Sequence, residues 1–123
     1  MAEVQVLLYK EDDGTVPILK WLDGLPGKVQ DKCAARIKRL RDLGHELRRP
    51  EADYLRDGIY ELRLRHQTVN YRVLYFFYGK SVVVLTNGLT KEKQITQGDI
   101  NKAIALRKRF DTIPESHIFK WEI

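Results

Sequence analysis

The 123-residue sequence has one cysteine, Cys33, so no intrachain disulfide can form. Cys33, His45, His66 and His117 stand at none of the spacings of a usual Cys/His metal site, and no metal or other cofactor is expected. Long hydrophobic runs are missing as well. The opening "MAEVQVLLYKEDDG" is mostly apolar only from Val4 to Tyr9, broken by Gln5, far short of a signal h-region or a membrane span. These absences predict a soluble protein of a reducing cytoplasm. With 8 glycines and 4 prolines the chain is too poor in both to be disordered. It shows no repeat, low-complexity tract or interdomain linker, and its length supports one core.

What is present is positive charge. The formal net charge is +5 and the sequence pI about 9.4, with the excess in the middle of the chain and acidic ends. An anionic partner is favoured over a neutral one.

The apolar pattern predicts the elements. "EVQVLLY" reads as a first strand. Pro17 sits where an N1 proline belongs, and Ile18, Leu19, Leu22 and Leu25 follow at helical spacing to a stop at Gly24–Gly27. Val29, Cys33, Ile37 and Leu40 form one stripe of a second helix over 28–43, closed by Gly44. The stretch 45–57 has no sustained period and reads as a loop, with His45 solvated there and His117 solvated in the tail. In "IYELRLR", Tyr60, Leu62 and Leu64 alternate with Glu61, Arg63 and Arg65. "YRVLYFFYGKSVVVLTNGL" gives two runs apolar on both faces, joined at Gly79-Lys80 as a two-residue type II′ turn. Thr96 and Asp99 open a third helix reaching about Phe110. The tail 111–123 offers an edge strand. The order β-α-α-β-β-β-α predicts an α+β domain, two N-terminal helices packed on a twisted antiparallel sheet.

Three arginines and no lysine stand in the hairpin from Gly58 to Phe77. With a loop at 66–69, Arg63 opposes Arg72 and Arg65 opposes Asn70; continuing across the next turn, Arg72 opposes Asn87. Like charges directly opposite cost up to about 1 kcal/mol. Two readings stand. Either Glu61 or an acidic residue of the 45–57 loop neutralises the pair, or the face binds phosphate, for which the planar guanidinium fork is suited.

"ILKWLDGLP", a basic amphipathic helix, "DGIYELR", "YRVLYFF", "VVVLTNGLTKEKQIT" and a helix with "INKA" follow one another in this chain. As an ordered set, from Val4 to Phe110, they resemble the RelE/ParE toxin superfamily, most closely its HigB-like, phage-derived branch. The resemblance implies a RelE-like fold over 1–110 and the toxin half of a type II toxin-antitoxin pair, neutralised by a helix-turn-helix, HigA-like antitoxin. It also implies a metal-independent endoribonuclease that cuts mRNA on the ribosome, attack coming from the RNA 2′-OH. By position, Arg63, Arg72, Lys91 and Lys93 then fall among the catalytic residues, and Arg65 among the RNA contacts. His66 at the hairpin turn and Lys32, Arg36 and Arg39 of the second helix are further candidates for RNA contact.

The chain departs from its relatives in having no histidine between Val69 and Ser116 and no tyrosine between Thr90 and Phe110. Arginine is a poor proton donor at neutral pH, whereas a lysine crowded by arginines has its charged form disfavoured, so Lys91 or Lys93 suits the proton transfers. Glu61 serves equally as a base or as an ion-pair partner of the arginines. Two rival functions share the fold: a ParE-like toxin acting on a protein such as DNA gyrase, and a degenerate member that only binds RNA or a regulator.

Overall fold

In the computed structural model, which describes residues 3–91 and 94–121, apolar alternation and helical stripes resolve into a six-stranded sheet with helices on both faces. The elements are β1 (Gln5–Tyr9), α1 (Pro17–Asp23), α2 (Gly27–Leu43), β2 (Ala52–Arg56), β3 (Ile59–His66), β4 (Val69–Tyr78), β5 (Val82–Lys91), α3 (Gln97–Thr112) and β6 (Ile118–Lys120). Strand order is β2-β3-β4-β5-β1-β6. The α+β class holds, with one departure from a wholly antiparallel sheet: β1 runs parallel to β5, Leu7 opposite Val84. No helix among the described residues is long and apolar enough to cross a membrane.

The two faces explain why β4 and β5 are apolar throughout. On one, Leu62, Val73, Tyr75, Val83 and Leu85 pack against Ile18, Leu22 and the α2 stripe Val29, Cys33, Ile37 and Leu40. On the other, Leu7, Leu74, Phe76 and Val84 pack against Ile100, Ala103, Leu106 and Phe110 of α3. The start of α3 is a reciprocal cap: the Thr96 hydroxyl accepts from the Asp99 N–H at 3.1 Å, and the Asp99 carboxylate accepts from the Thr96 N–H at 2.9 Å. On the helical-hairpin side, the Trp21 indole lies directly on Gly88 and donates to the Thr90 hydroxyl at 3.2 Å. A Cβ on Gly88 would stand 2.1 Å from the indole ring.

Two expectations are corrected. The stretch 45–57 is not all loop, because β2 pairs with β3 through a turn at Asp57 and Gly58, both at left-handed φ (52° and 79°). Asp-Gly is the pair that favours such a turn, and it was the signal for the missed strand. The β4–β5 connection has three residues, Gly79 to Ser81, since Tyr78 pairs with Val82. Each neighbouring residue that joins the turn shifts the downstream register by one.

Beyond α3 the tail turns through Pro114–His117, and β6 pairs antiparallel with β1, Leu8 opposite Phe119. His117, expected in solvent, is buried: its Nδ1 lies 2.8 Å from the Lys10 carbonyl, and its ring stacks on Tyr9 with centroids 5.0 Å apart. His45 stacks on Phe77 with centroids at 3.6 Å.

Gly88→Ala should lower stability by about 1–3 kcal/mol, the usual cost of forcing extra volume into a packed contact. Gly27→Ala, whose Cβ meets nothing within 4 Å, should not; urea unfolding of the two variants compares them. Burial pushes the Cys33 thiol up to about 11, so it remains protonated and shielded. Labelling with a thiol-specific disulfide reagent at pH 8 should be at least about tenfold slower than in urea-unfolded chain.

A candidate nucleic-acid site at the open end of the sheet

The β3–β4 hairpin closes through Gln67 and Thr68, with Gln67 at a left-handed φ of 56° and His66 paired to Val69. This register sets Arg63 opposite Arg72 and Arg65 opposite Asn70, as the sequence predicts for a loop at 66–69. The Arg63 N–H donates to the Glu51 carbonyl at 2.8 Å, and its carbonyl accepts from the Arg36 guanidinium. Both groups therefore point away from β4, which makes Arg63 and Arg72 a non-hydrogen-bonded pair, the kind whose side chains stand closest.

Glu61 neutralises one of the two. Its carboxylate accepts from Arg72 Nη1 at 2.7 Å, and the pair is interior, with side chains 5% and 13% exposed. Glu61 is thus held as an ion-pair partner. The Arg63 guanidinium has no hydrogen bond or ion pair among the described residues. Asp53, opposite Glu61 on β2, lines the same cleft as Arg63. A hydrogen bond from Arg49 holds the Asp53 carboxyl below its ordinary value, with the Arg63 charge adding a smaller push in the same direction.

Across the next strand the expected row is displaced. Arg72 opposes Leu89, not Asn87, because the third turn residue and an irregularity between Leu74 and Tyr75 each add one to the register. Thr86 occupies that bulge, its hydroxyl 3.1 Å from the Leu74 carbonyl and 2.8 Å from Asn87 Oδ1. Asn87 pairs with Leu74 and so shares the face of Arg72, one step along. Arg72 Nε and Asn87 Nδ2 are both buried, and neither has a hydrogen-bond partner among the described residues. Two unsatisfied interior donors beside an unpaired guanidinium suit an anionic acceptor.

Arg63 and Arg72 line two adjoining clefts. One, of about 330 Å³, is completed by Arg36, Glu51, Arg65 and Asn70, with four arginines against one carboxylate. The other, of about 370 Å³, runs toward Arg49, Asp53, Glu61 and Gln94. Arg65 is exposed and donates from Nε to the Gln67 carbonyl at 3.0 Å. Lys91 ends β5 in register with Asn70, so Arg65, Asn70 and Lys91 form one row across three strands. Lys93 lies outside the described residues. Among the described residues no group of three or more His, Cys, Asp or Glu side chains converges as a metal site requires.

Of the remaining candidates, Arg36 borders the first of those clefts, whereas His66, Lys32 and Arg39 lie toward the other side of the sheet. His66 shares the α2 face with Leu62 and Leu64, and its Nδ1 stands 3.1 Å from Lys32 Nζ. The lysine donates, which leaves the imidazole proton on Nε2. Lys32 Nζ is also 3.4 Å from the Arg65 carbonyl. Arg39 holds Glu51 through two bonds of 2.8 and 2.7 Å, and Arg36 Nε lies 3.6 Å from the same carboxylate. These bonds, Arg39 foremost, keep the Glu51 carboxyl below its ordinary range.

The helix cations have a local reason. Pairing with β2 begins only at Ala52–Leu62, so the outer edge of β3 beyond Leu62 carries unpaired carbonyls. Arg36 and Lys32 supply donors there. Sequence reasoning allowed for an acidic residue of the 45–57 stretch but did not single out Glu51, Asp53 or Arg49, because Asp53 stands on the unforeseen strand β2 and the other two just before it.

Residues 20–108, well over half of the chain and the whole of this site, match the protein family described as "phage derived protein Gp49-like (DUF891)". No curated protein matches the chain.

Breaking the interior ion pair from either side should be costly. Glu61→Ala and Arg72→Ala should each lower stability by about 3 kcal/mol or more, since each leaves its partner buried and unpaired. The joint variant Glu61→Leu/Arg72→Met should recover much of that loss, read as a coupling in a double-mutant cycle of urea midpoints.

Proposed function

The chain belongs to the Gp49-like phage-derived family, a RelE/ParE-type, toxin-like family, and we propose that it is a ribosome-dependent mRNA endoribonuclease, the toxin of a type II toxin-antitoxin pair. A toxin-like protein implies an antitoxin partner, which in this reading is a HigA-like, helix-turn-helix protein. The single observation that carries the nuclease reading is the pair Arg63 and Arg72: two guanidiniums side by side on a sheet face, one with no counter-ion among the described residues and the other held in place by Glu61. A gyrase-binding surface gives no reason to keep that like-charge pair in the sheet.

Cleavage by the RNA 2′-OH requires a base for its proton, positive charge for the phosphorane and an acid for the leaving 5′ oxygen. Arg63 and Arg72 supply the charge. Glu61 positions the Arg72 guanidinium, as its 2.7 Å bond fixes one nitrogen of the fork. Lys91, which ends β5 opposite Asn70, and Lys93 carry the proton transfers in this reading. Arg65 holds the RNA backbone at the mouth of the cleft, while Lys32, Arg36, Arg39 and His66 form a second basic margin toward ribosomal RNA.

Arg63→Ala is a cleaner probe than Arg72→Ala, because Arg63 forms no interior ion pair whose loss would unfold the sheet. Primer extension on a defined mRNA in a reconstituted translation mix should show A-site cuts that require ribosomes. Arg63→Ala should lower the cutting rate by about 10²-fold, the usual effect of removing one preorganised charge. Intact mRNA at protein levels that still arrest growth would overturn the reading and point to a protein target such as DNA gyrase.

A further inference from the structure

A third cleft, of about 520 Å³, opens on the α2 face beside β2 and is lined by His45, Leu47, Arg48, Arg49, Tyr54 and Tyr60 among others. Its size is that of a small-ligand cleft. It meets the phosphate-binding cleft at Arg49 and Asp53, which line both and are joined by an ion pair of 2.9 Å. One extended strand of RNA can therefore occupy both, passing over that ridge at the edge of the sheet.

The chemistry of this cleft is aromatic and cationic together. Tyr54 is 52% exposed, unusual for so large a ring, yet it is held at both ends. Its hydroxyl accepts from the Gly58 N–H at 3.1 Å, and its ring stands against Tyr60 at 5.0 Å and 69°. Tyr60 is in turn braced by Tyr75 and Phe77. His45 lies flat on Phe77 and presents its own ring to the same cleft. Arg48 forms no ion pair or side-chain hydrogen bond among the described residues. A fixed, exposed ring beside an uncommitted guanidinium matches a planar base with its phosphate, since every base has a face to stack and the ring loses little freedom on binding.

We propose that this cleft is a base-stacking subsite for single-stranded RNA, holding the nucleotide next to the phosphate bound by Arg63 and Arg72. Tyr54 and Tyr60 form its platform, and Arg48 contacts its phosphate. The inference rests on the nuclease reading and extends it to a part of the chain that carries no chemistry of its own.

The test uses ribosomes programmed with mRNA that has 2′-deoxy residues in the A-site codon, so that it stays uncut, and 4-thiouridine at the neighbouring positions. After irradiation, digestion and mass-spectrometric mapping of the modified residues, RNA cross-linked to the wild-type protein should be found on the segment 50–56, which contains Tyr54. Its yield should fall about tenfold in Tyr54→Ala and stay within about twofold in Tyr54→Phe, which keeps the stacking face. Cross-links to the segment 64–72 should persist in both variants and report that each is folded and bound. Cross-links at 64–72 with none at 50–56, or a yield at 50–56 indifferent to Tyr54→Ala, would overturn the subsite and leave the nuclease reading intact; the aromatic patch would then belong to a protein partner or to the fold. No cross-link anywhere on the wild-type protein would overturn both.

Discussion

The hydrogen-bonded register between β3 and β4 is the constraint on which both the core and the charged cluster depend. Side chains alternate with a period of two, so a slip of β3 by one residue would carry Leu62 and Leu64 out of the helix-facing core and bring Arg63 into it. The two-residue turn at Gln67 and Thr68 holds that register in place. The apolar demand of one face therefore determines where the guanidiniums of the other face stand. The Arg63–Arg72 juxtaposition is unfavourable in itself, but it is tied to a pairing the core cannot give up.

The protein manages the resulting charge unequally. Glu61 takes Arg72 into an interior pair, and the Arg63 guanidinium is left without an ion pair among the described residues. On the far side of β3, Arg39 and Arg36 share Glu51, and Lys32 and Arg36 cap carbonyls that no strand reaches. Much of the positive charge on α2 is thus local structure, answering an edge that β2 leaves bare. The excess that matters for an anionic partner is concentrated at Arg63, Arg65 and Arg72. A net charge of +5 spread over the chain says far less than those three positions.

Helix placement leaves the cluster open. On the face that carries it, α3 packs against Phe76, Val84 and Leu74, while Arg72 and Arg63 line clefts beyond that contact. Arg107 of the same helix reaches the β2–β3 turn, donating to the Asp57 carbonyl at 3.2 Å, with its guanidinium where a Cβ of residue 58 would be. A glycine at 58 thus serves the left-handed turn and the docking of α3 at once. The same turn fixes β2, and β2 brings Asp53 and Tyr54 to the rim of the site.

Sequence reasoning read the helices, the double-sided central strands, the Thr96–Asp99 cap and the opposition of Arg63 to Arg72, because each rests on local periodicity or on one short turn. It misplaced Asn87, since a third turn residue and a bulge at Thr86 each shift the register by one and neither has a period to betray it. It missed β2, although Asp57-Gly58 marks the turn, because five residues at a sheet edge leave too short an alternation. It put His66 beside the arginines, whereas parity sends it to the opposite face to meet Lys32. By itself, then, the sequence determined which residues are helical, which strands are buried and which charges are available. Only the tertiary structure decided which charges neutralise one another and which remain for a ligand, because ion pairing depends on distances of a few ångströms between residues far apart in the chain.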